Sequence, residues 1–349
     1  MSDRTLAPQI PIKMSTTSQT LLDLLRTFSV VDCDTLDVEV ARKLGPFVDC
    51  TSNQAIAYGE LTKTDAEGKL IHDQLIADSI AYAKSKTSKF VGVNVEEVAV
   101  EAMTVKLAHD IAPYLTGYSH VQTNPKYSFD TQKTLDNARR FVEISKDLDP
   151  NFDVKKLCIK IPTTWEGVQA CKELEDEGIT TLATAVNSVP QALLASYFGC
   201  TYIGLYVNDL RVHFDESYVD DNKGFQVGSV SQSYYKNQRK RTQVMAASLT
   251  SIHEVMVLAG VAHITVSPKL LYELAETPAH LWKGDVGSVF SDATSELNNT
   301  DDSIVADENV WRLAFSKDQG GKSQAKLNDA IQLFSEKQDA LEGLAGLRL

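Results

Sequence analysis

Apolar and polar positions along the chain fall into two alternating textures. Short β-branched runs predict strands at Ser29–Cys33, Phe47–Thr51, Tyr118–Gln122, Leu157–Ile161, Thr180–Thr184, Tyr202–Tyr206, Gln243–Ala247 and His263–Val266. Between them lie stretches of helical period: Asp73–Ser85, Val95–Ala112, Thr131–Leu148, Trp165–Glu177, Pro190–Tyr197, Val230–Arg239, Ile252–Ala259 and Lys269–Glu276. Strands alternating with helices predict a parallel sheet wrapped in helices, and eight of them favour a closed (β/α)8 barrel, of TIM type, over an open sheet. Asp215–Val227 breaks the repeat: it is polar, carries a glycine, and reads as a loop over the barrel mouth or as a surface excursion. Asn298–Asp307 is acidic and unpatterned, and Ala325–Leu344 reads as a closing helix. Met1 to Thr20, polar and proline-bearing, is expected to be a disordered lead-in, with residues 21–349 forming a single barrel domain that ends in the closing helix.

Composition narrows the partners. A chain of 349 residues with a net charge of −13 repels phosphate backbones and anionic lipid, which argues against nucleic acid and membrane. The one basic cluster, Lys236 to Arg241, sits in a helical stretch and reads as a solvated face. No apolar run approaches the ~18 residues of a membrane span, so cytoplasm is the default expectation. The five cysteines form no Cys-x-x-Cys pair and lie in apolar runs, as buried free thiols would. The seven histidines show no metal-ligand spacing, so no metal is expected.

In barrels of this kind the chemistry gathers at the C-terminal ends of the strands. Polar residues at those ends are Asp34, Asp49, Asn53, Gln122, Lys160, Thr184, Tyr206 and Ser248. Lys160 stands apart, because Leu157-Cys158-Ile159-Lys160-Ile161-Pro162 sets a lysine inside an apolar strand, on the face shared with Cys158 and Pro162. If that face is the barrel interior, desolvation lowers its pKa from ~10.4 and makes it a nucleophile towards carbonyls. If not, it is a strand-end lysine that snorkels to solvent. Each of the others, taken alone, reads equally as a cap, a turn former or a satisfied core hydroxyl.

The run Ile159-Lys160-Ile161-Pro162-Thr163-Thr164-Trp165-Glu166-Gly167, with Leu174-Glu175-Asp176-Glu177-Gly178-Ile179 after it, resembles the Schiff-base strand and helix of transaldolases. Asp34-Thr35, Asp49-Cys50-Thr51-Ser52-Asn53, Val244 to Ser248 and Ile264 to Leu271 follow in the family's order, so the resemblance spans about Val30 to Leu344. It implies a transaldolase-type barrel with the Schiff-base lysine, Lys160, on the fourth strand, and no cofactor. It also implies a small carbonyl or ketose substrate, and it leaves room for a homodimer. By position, Asp34 would exchange a proton with the donor hydroxyl, Asn53 and Ser248 would hold donor hydroxyls, and Thr184 would help position a water.

The departures point further. Gln122 stands where most of the family resembles itself in carrying glutamate, and Tyr206 where it carries phenylalanine; the Gln122, Thr184 and Tyr206 set is similar to that of the fructose-6-phosphate aldolase branch. Asp209 and Thr250 occupy the places of two arginines that clamp the substrate phosphate, and Arg211 lies two residues beyond the first. Gln54 replaces a usual proline, Leu182 an asparagine, and Gly204 a serine or alanine. These changes suggest aldol chemistry on an unphosphorylated ketone or aldehyde, with Asp209→Arg plus Thr250→Arg expected to improve the use of phosphorylated substrates. The alternatives are a true transaldolase of the pentose phosphate pathway, and a catalytically silent binding or regulatory barrel.

Overall fold

A computed structural model describes residues 19–291 and 303–349. The expected Met1–Thr20 lead-in lies almost wholly outside the described residues, as does the first half of Asn298–Asp307. Eight parallel strands close into a barrel in chain order: β1 (Val30–Asp34), β2 (Cys50–Thr51), β3 (Ser119–Gln122), β4 (Leu157–Pro162), β5 (Thr180–Val186), β6 (Tyr202–Tyr206), β7 (Gln243–Ala247) and β8 (His263–Val266). The barrel closes where Val30 to Cys33 pair with His263 to Val266.

The strand pattern is read correctly almost to the residue, except at β2. That strand has shrunk from the expected Phe47–Thr51 because the backbone of Asp49 is used differently. Its N–H donates to Asp32 Oδ1 (2.8 Å), and Asp49 Oδ1 accepts from the Tyr118 N–H (2.7 Å), so side chains take over bonds that a ladder would make. A second difference lies after β6, where the helix runs Phe225–Asn237 and shortens the expected loop from its C-terminal end. A 3-10 turn, Leu210–His213, opens that loop, capped by Asp209.

After β4, Thr164 accepts from the Gly167 N–H at 2.8 Å and starts the helix Trp165–Asp176, so β4 passes directly into a capped helix. The closing helix spans Lys322–Gly346 and buries Leu327, Phe334 and Leu341 in the same core that holds the barrel's outer strand faces. All five cysteines are buried and free. Among the described residues no helix is long and apolar enough to cross a membrane.

The barrel interior is filled in layers. Cys158, Leu182, Tyr202 and Met245 form an apolar layer one step below Lys160. Beside it lie two buried acid–imidazole pairs, Asp32 Oδ2 with His263 Nδ1 (2.8 Å) and Asp49 Oδ2 with His120 Nε2 (2.9 Å). Burial pushes the Asp32 carboxyl up despite its partner, whereas for Asp49 burial, the largest single effect, is outweighed by the His120 hydrogen bond and charge together with the Tyr118 N–H, which hold it down. Ligand-capable atoms of Asp32, Asp49 and His263 fall within 4.8 Å of one another, and each is already engaged in these bonds. This plug makes the floor of whatever lies above it.

Candidate active site

Above the plug, at the C-terminal ends of the strands, is a cavity of about 360 Å3. Asp34, Asn53, Lys160, Tyr206 and Ser248 line it, together with His213, Phe214 and Phe334. Five of the nine sequence-derived site residues thus meet in one space.

Lys160 is only 4% exposed. Strand alternation puts it on the interior face with Cys158, as the sequence pattern requires of a nucleophile rather than a snorkelling lysine. Burial lowers its pKa, opposed by the field of Asp34. Among the described residues no carboxylate lies within ion-pair distance of it and no acceptor is hydrogen-bonded to it.

Asp34 ends β1, and its Oδ1 accepts from Thr51 Oγ1 (2.6 Å), which in turn contacts Thr265 Oγ1 (2.6 Å). Asn53 caps the helix Gln54–Leu61: its Oδ1 accepts from the N–H groups of Ala55 (2.9 Å) and Ile56 (3.0 Å), which leaves the amide NH2 for the cavity. Ser248 sits at φ +57°, in the left-handed region where a non-glycine residue is strained. Its carbonyl accepts from the Asn208 N–H (3.2 Å) and Nδ2 (2.8 Å), and its hydroxyl shares a 3.0 Å hydrogen bond with His213 Nε2.

The expected water-holding set is split. Tyr206 lines the cavity, its phenol pushed up by burial. Thr184 lies near that phenol, wholly buried, with its hydroxyl unpartnered. Gln122 faces a separate chamber of about 10 Å3, close to the minimum for one water. Its Nε2 donates to Gln54 Oε1 (2.7 Å), and its Oε1 is buried without a partner. Asn53 borders both chambers, so they adjoin.

Asp209 and Thr250, expected in the substrate site, do not reach the cavity. Asp209 is 5% exposed and turned inward: Oδ1 accepts from the Arg211 N–H (3.0 Å) and Oδ2 from the Tyr218 hydroxyl (3.2 Å). Thr250 is exposed, and its N–H donates to Glu254 Oε2 (2.7 Å). Arg211 does not return to the site either, being paired with Asp215 (2.7 Å) and stacked 4.6 Å over Tyr218. Among the described residues no arginine lines the cavity. Sequence reasoning missed His213 and Phe334. The first lies in a loop with no period, and the second belongs to a helix whose docking no local pattern announces. Gln54 was visible only as a missing proline.

Residues 31–345 match the family described as Transaldolase/Fructose-6-phosphate aldolase. The chain belongs to that family. A transaldolase of Alteromonas mediterranea is 31% identical over 327 residues, covering 91% of this chain and 95% of that one. Transaldolases of Acidobacterium capsulatum and Cricetulus griseus are each 29% identical, over 342 and 340 residues, covering 95% of this chain and 96% and 95% of their own. This member of the transaldolase/aldolase family is accordingly a class I aldolase- or transaldolase-type enzyme on a (β/α)8 barrel.

Proposed function

We propose that this enzyme transfers a three-carbon ketone unit of the dihydroxyacetone type between carbonyl compounds, through a Schiff base on Lys160. The observation that carries the reading is Lys160 itself, a buried, unpaired amine opening into a closed-bottomed cavity beside Asp34. The neutral amine adds to the donor ketone, and loss of water leaves an iminium. Asp34 takes the proton of the adjacent alcohol, the carbon–carbon bond breaks, and its electron pair enters the iminium to give an enamine while an aldehyde departs. The enamine then attacks an acceptor aldehyde, Asp34 returns the proton, and water releases the product from Lys160. Asn53 Nδ2 and the Ser248 hydroxyl hold donor hydroxyls. Tyr206 and Thr184 flank the water that enters and leaves, and Gln122 faces the adjoining chamber across Asn53. The full-length span of the relatives named transaldolase supports transfer as the reaction.

Borohydride trapping with dihydroxyacetone, followed by peptide mass spectrometry, tests this. An adduct on Lys160 that disappears in Lys160→Ala is expected. If wild-type protein traps no ketone there, the reading is lost, and a silent barrel takes its place.

A second reading has its own observation. The absence of arginine from the described cavity wall suits an unphosphorylated ketone or aldehyde, and Tyr206 in the water site suits hydrolytic release, hence simple aldolase activity. Transfer from sedoheptulose 7-phosphate, assayed beside cleavage of free fructose, separates the two.

A further inference from the structure

The closing helix Lys322–Gly346 supplies Phe334 to the cavity wall, and Lys337 follows on the same helix face. Lys337 Nζ stands 5.4 Å from the Tyr58 ring centroid and 5.8 Å from that of Phe214. Phe214 lines the cavity, and Tyr58 belongs to the helix Gln54–Leu61, whose first turn lines it through Ala55 and Ile56. The ammonium therefore spans the rim between the segment after β2 and the segment after β6.

Neighbouring cations are neutralised: Arg211 by Asp215, Lys326 by Asp220 (2.7 Å), and Lys126 by Asp339. Lys337 is not. Among the described residues it has no carboxylate within ion-pair distance, and the helix positions three and four away hold Leu333, Phe334, Ala340 and Leu341. In a chain of net charge −13, a half-buried cation held by two aromatic faces with no acid beside it leaves its charge for a ligand. His213, adjacent to Phe214, reaches the same cavity and is tied to Ser248 at 3.0 Å.

We infer that Lys337 and His213 form the site that reads a phosphate ester on the far end of the sugar substrate, a task the cavity wall assigns to no arginine. The ketone carbonyl lies at Lys160 on the floor, and the phosphate lies at the rim, where the Lys337 ammonium and a His213 ring N–H donate to its oxygens. This rests on the proposed transfer reaction, and it opposes the reading in which the substrate carries no phosphate.

The test compares kcat/KM for cleavage of fructose 6-phosphate with that for free fructose in wild-type protein, Lys337→Met, Lys337→Arg and His213→Gln. Methionine keeps the stem packed between Tyr58 and Phe214 while removing the charge. The phosphorylated-to-free ratio should fall about tenfold in Lys337→Met, through KM rather than kcat, and be retained in Lys337→Arg. His213→Gln should lower the ratio by a smaller factor. Inorganic phosphate should compete with fructose 6-phosphate for cleavage in wild-type protein, and do so about tenfold less well in Lys337→Met. Wild-type protein without preference for the phosphorylated sugar, or a Lys337→Met that loses both substrates equally, overturns the inference. Trapping with dihydroxyacetone, which carries no phosphate, reports on Lys160 alone and keeps a failed Schiff base distinguishable from a failed rim site.

Discussion

Gln122 Nε2 donates to Gln54 Oε1 at 2.7 Å, and Gln54 Nε2 in turn donates to the carbonyls of Gln122 (3.3 Å) and Thr123 (3.0 Å). One glutamine at the start of a helix thus fixes both the side chain and the backbone at the end of β3, the strand paired to Lys160. The residue in the family's proline place is the orienter of Gln122. Gln54→Ala should lower kcat about tenfold with KM little changed, because Gln122 then turns freely in its chamber. It should also lose about 1–3 kcal/mol of stability in urea unfolding from the abandoned buried partners. Unaltered kcat in a folded variant would remove Gln122 from the working set.

Lys160 carries a pH signature. Its pKa is lowered in the folded protein, chiefly by burial. Between the folded and unfolded values the unfolded chain binds the extra proton, so stability rises with pH through that window, and below it the folded protein bears the full burden of a desolvated ammonium. Lys160→Met should therefore be more stable than wild type by on the order of 1 kcal/mol at about pH 6, and the gain should shrink towards pH ~10. A variant destabilised at both pH values would show that Lys160 is stabilised by partners the geometry does not contain. In wild-type protein the rise of trapping rate with pH should have its midpoint below 10.5, the ordinary lysine value.

Gly204 shapes the pocket beneath Tyr206. A Cβ placed there would meet Leu182 Cδ2 and Thr184 Oγ1, each at 3.0 Å. Gly204→Ala should displace the Thr184 hydroxyl, lower kcat several-fold, and cost about 1–3 kcal/mol of stability by overpacking. Full activity together with wild-type melting would mean that the Thr184 hydroxyl has no part in holding the water.

The arginine exchange that sequence comparison invites has a different outcome once the geometry is known. Asp209 caps the Leu210–His213 turn and holds Tyr218, while Thr250 points to solvent beside Glu254. Asp209→Arg with Thr250→Arg should therefore cost about 2 kcal/mol of stability and bring no gain in KM for sugar phosphates. A clear fall in that KM would show that the loop after β6 rearranges to form a clamp.

What could be read in advance follows from physics acting along the chain. The period of two in Leu157 to Pro162 places Lys160 and Cys158 on the same face, and eight such strands have one common way to bury both surfaces. Asp34, Asn53, Tyr206 and Ser248 sit at strand ends, where the fold itself brings them together. The shortening of β2 depends on Asp32 reaching Asp49 from the neighbouring strand, and Gln54 meeting Gln122 joins segments far apart in the chain. Lys337 and His213 share a rim only because the last helix docks there. Such relations are set by tertiary packing, and no window of local sequence contains them.

Phe334 gives the enzyme a schedule. The helix that carries it is synthesised after all eight strands, so the last stretch of chain supplies one wall of the pocket around Lys160. The cavity is therefore complete only when the final helix is docked. A chain cut before Lys322 would lose Phe334 from that wall and Leu327 and Leu341 from the core at one stroke, tying the shape of the reaction chamber to the integrity of the whole fold.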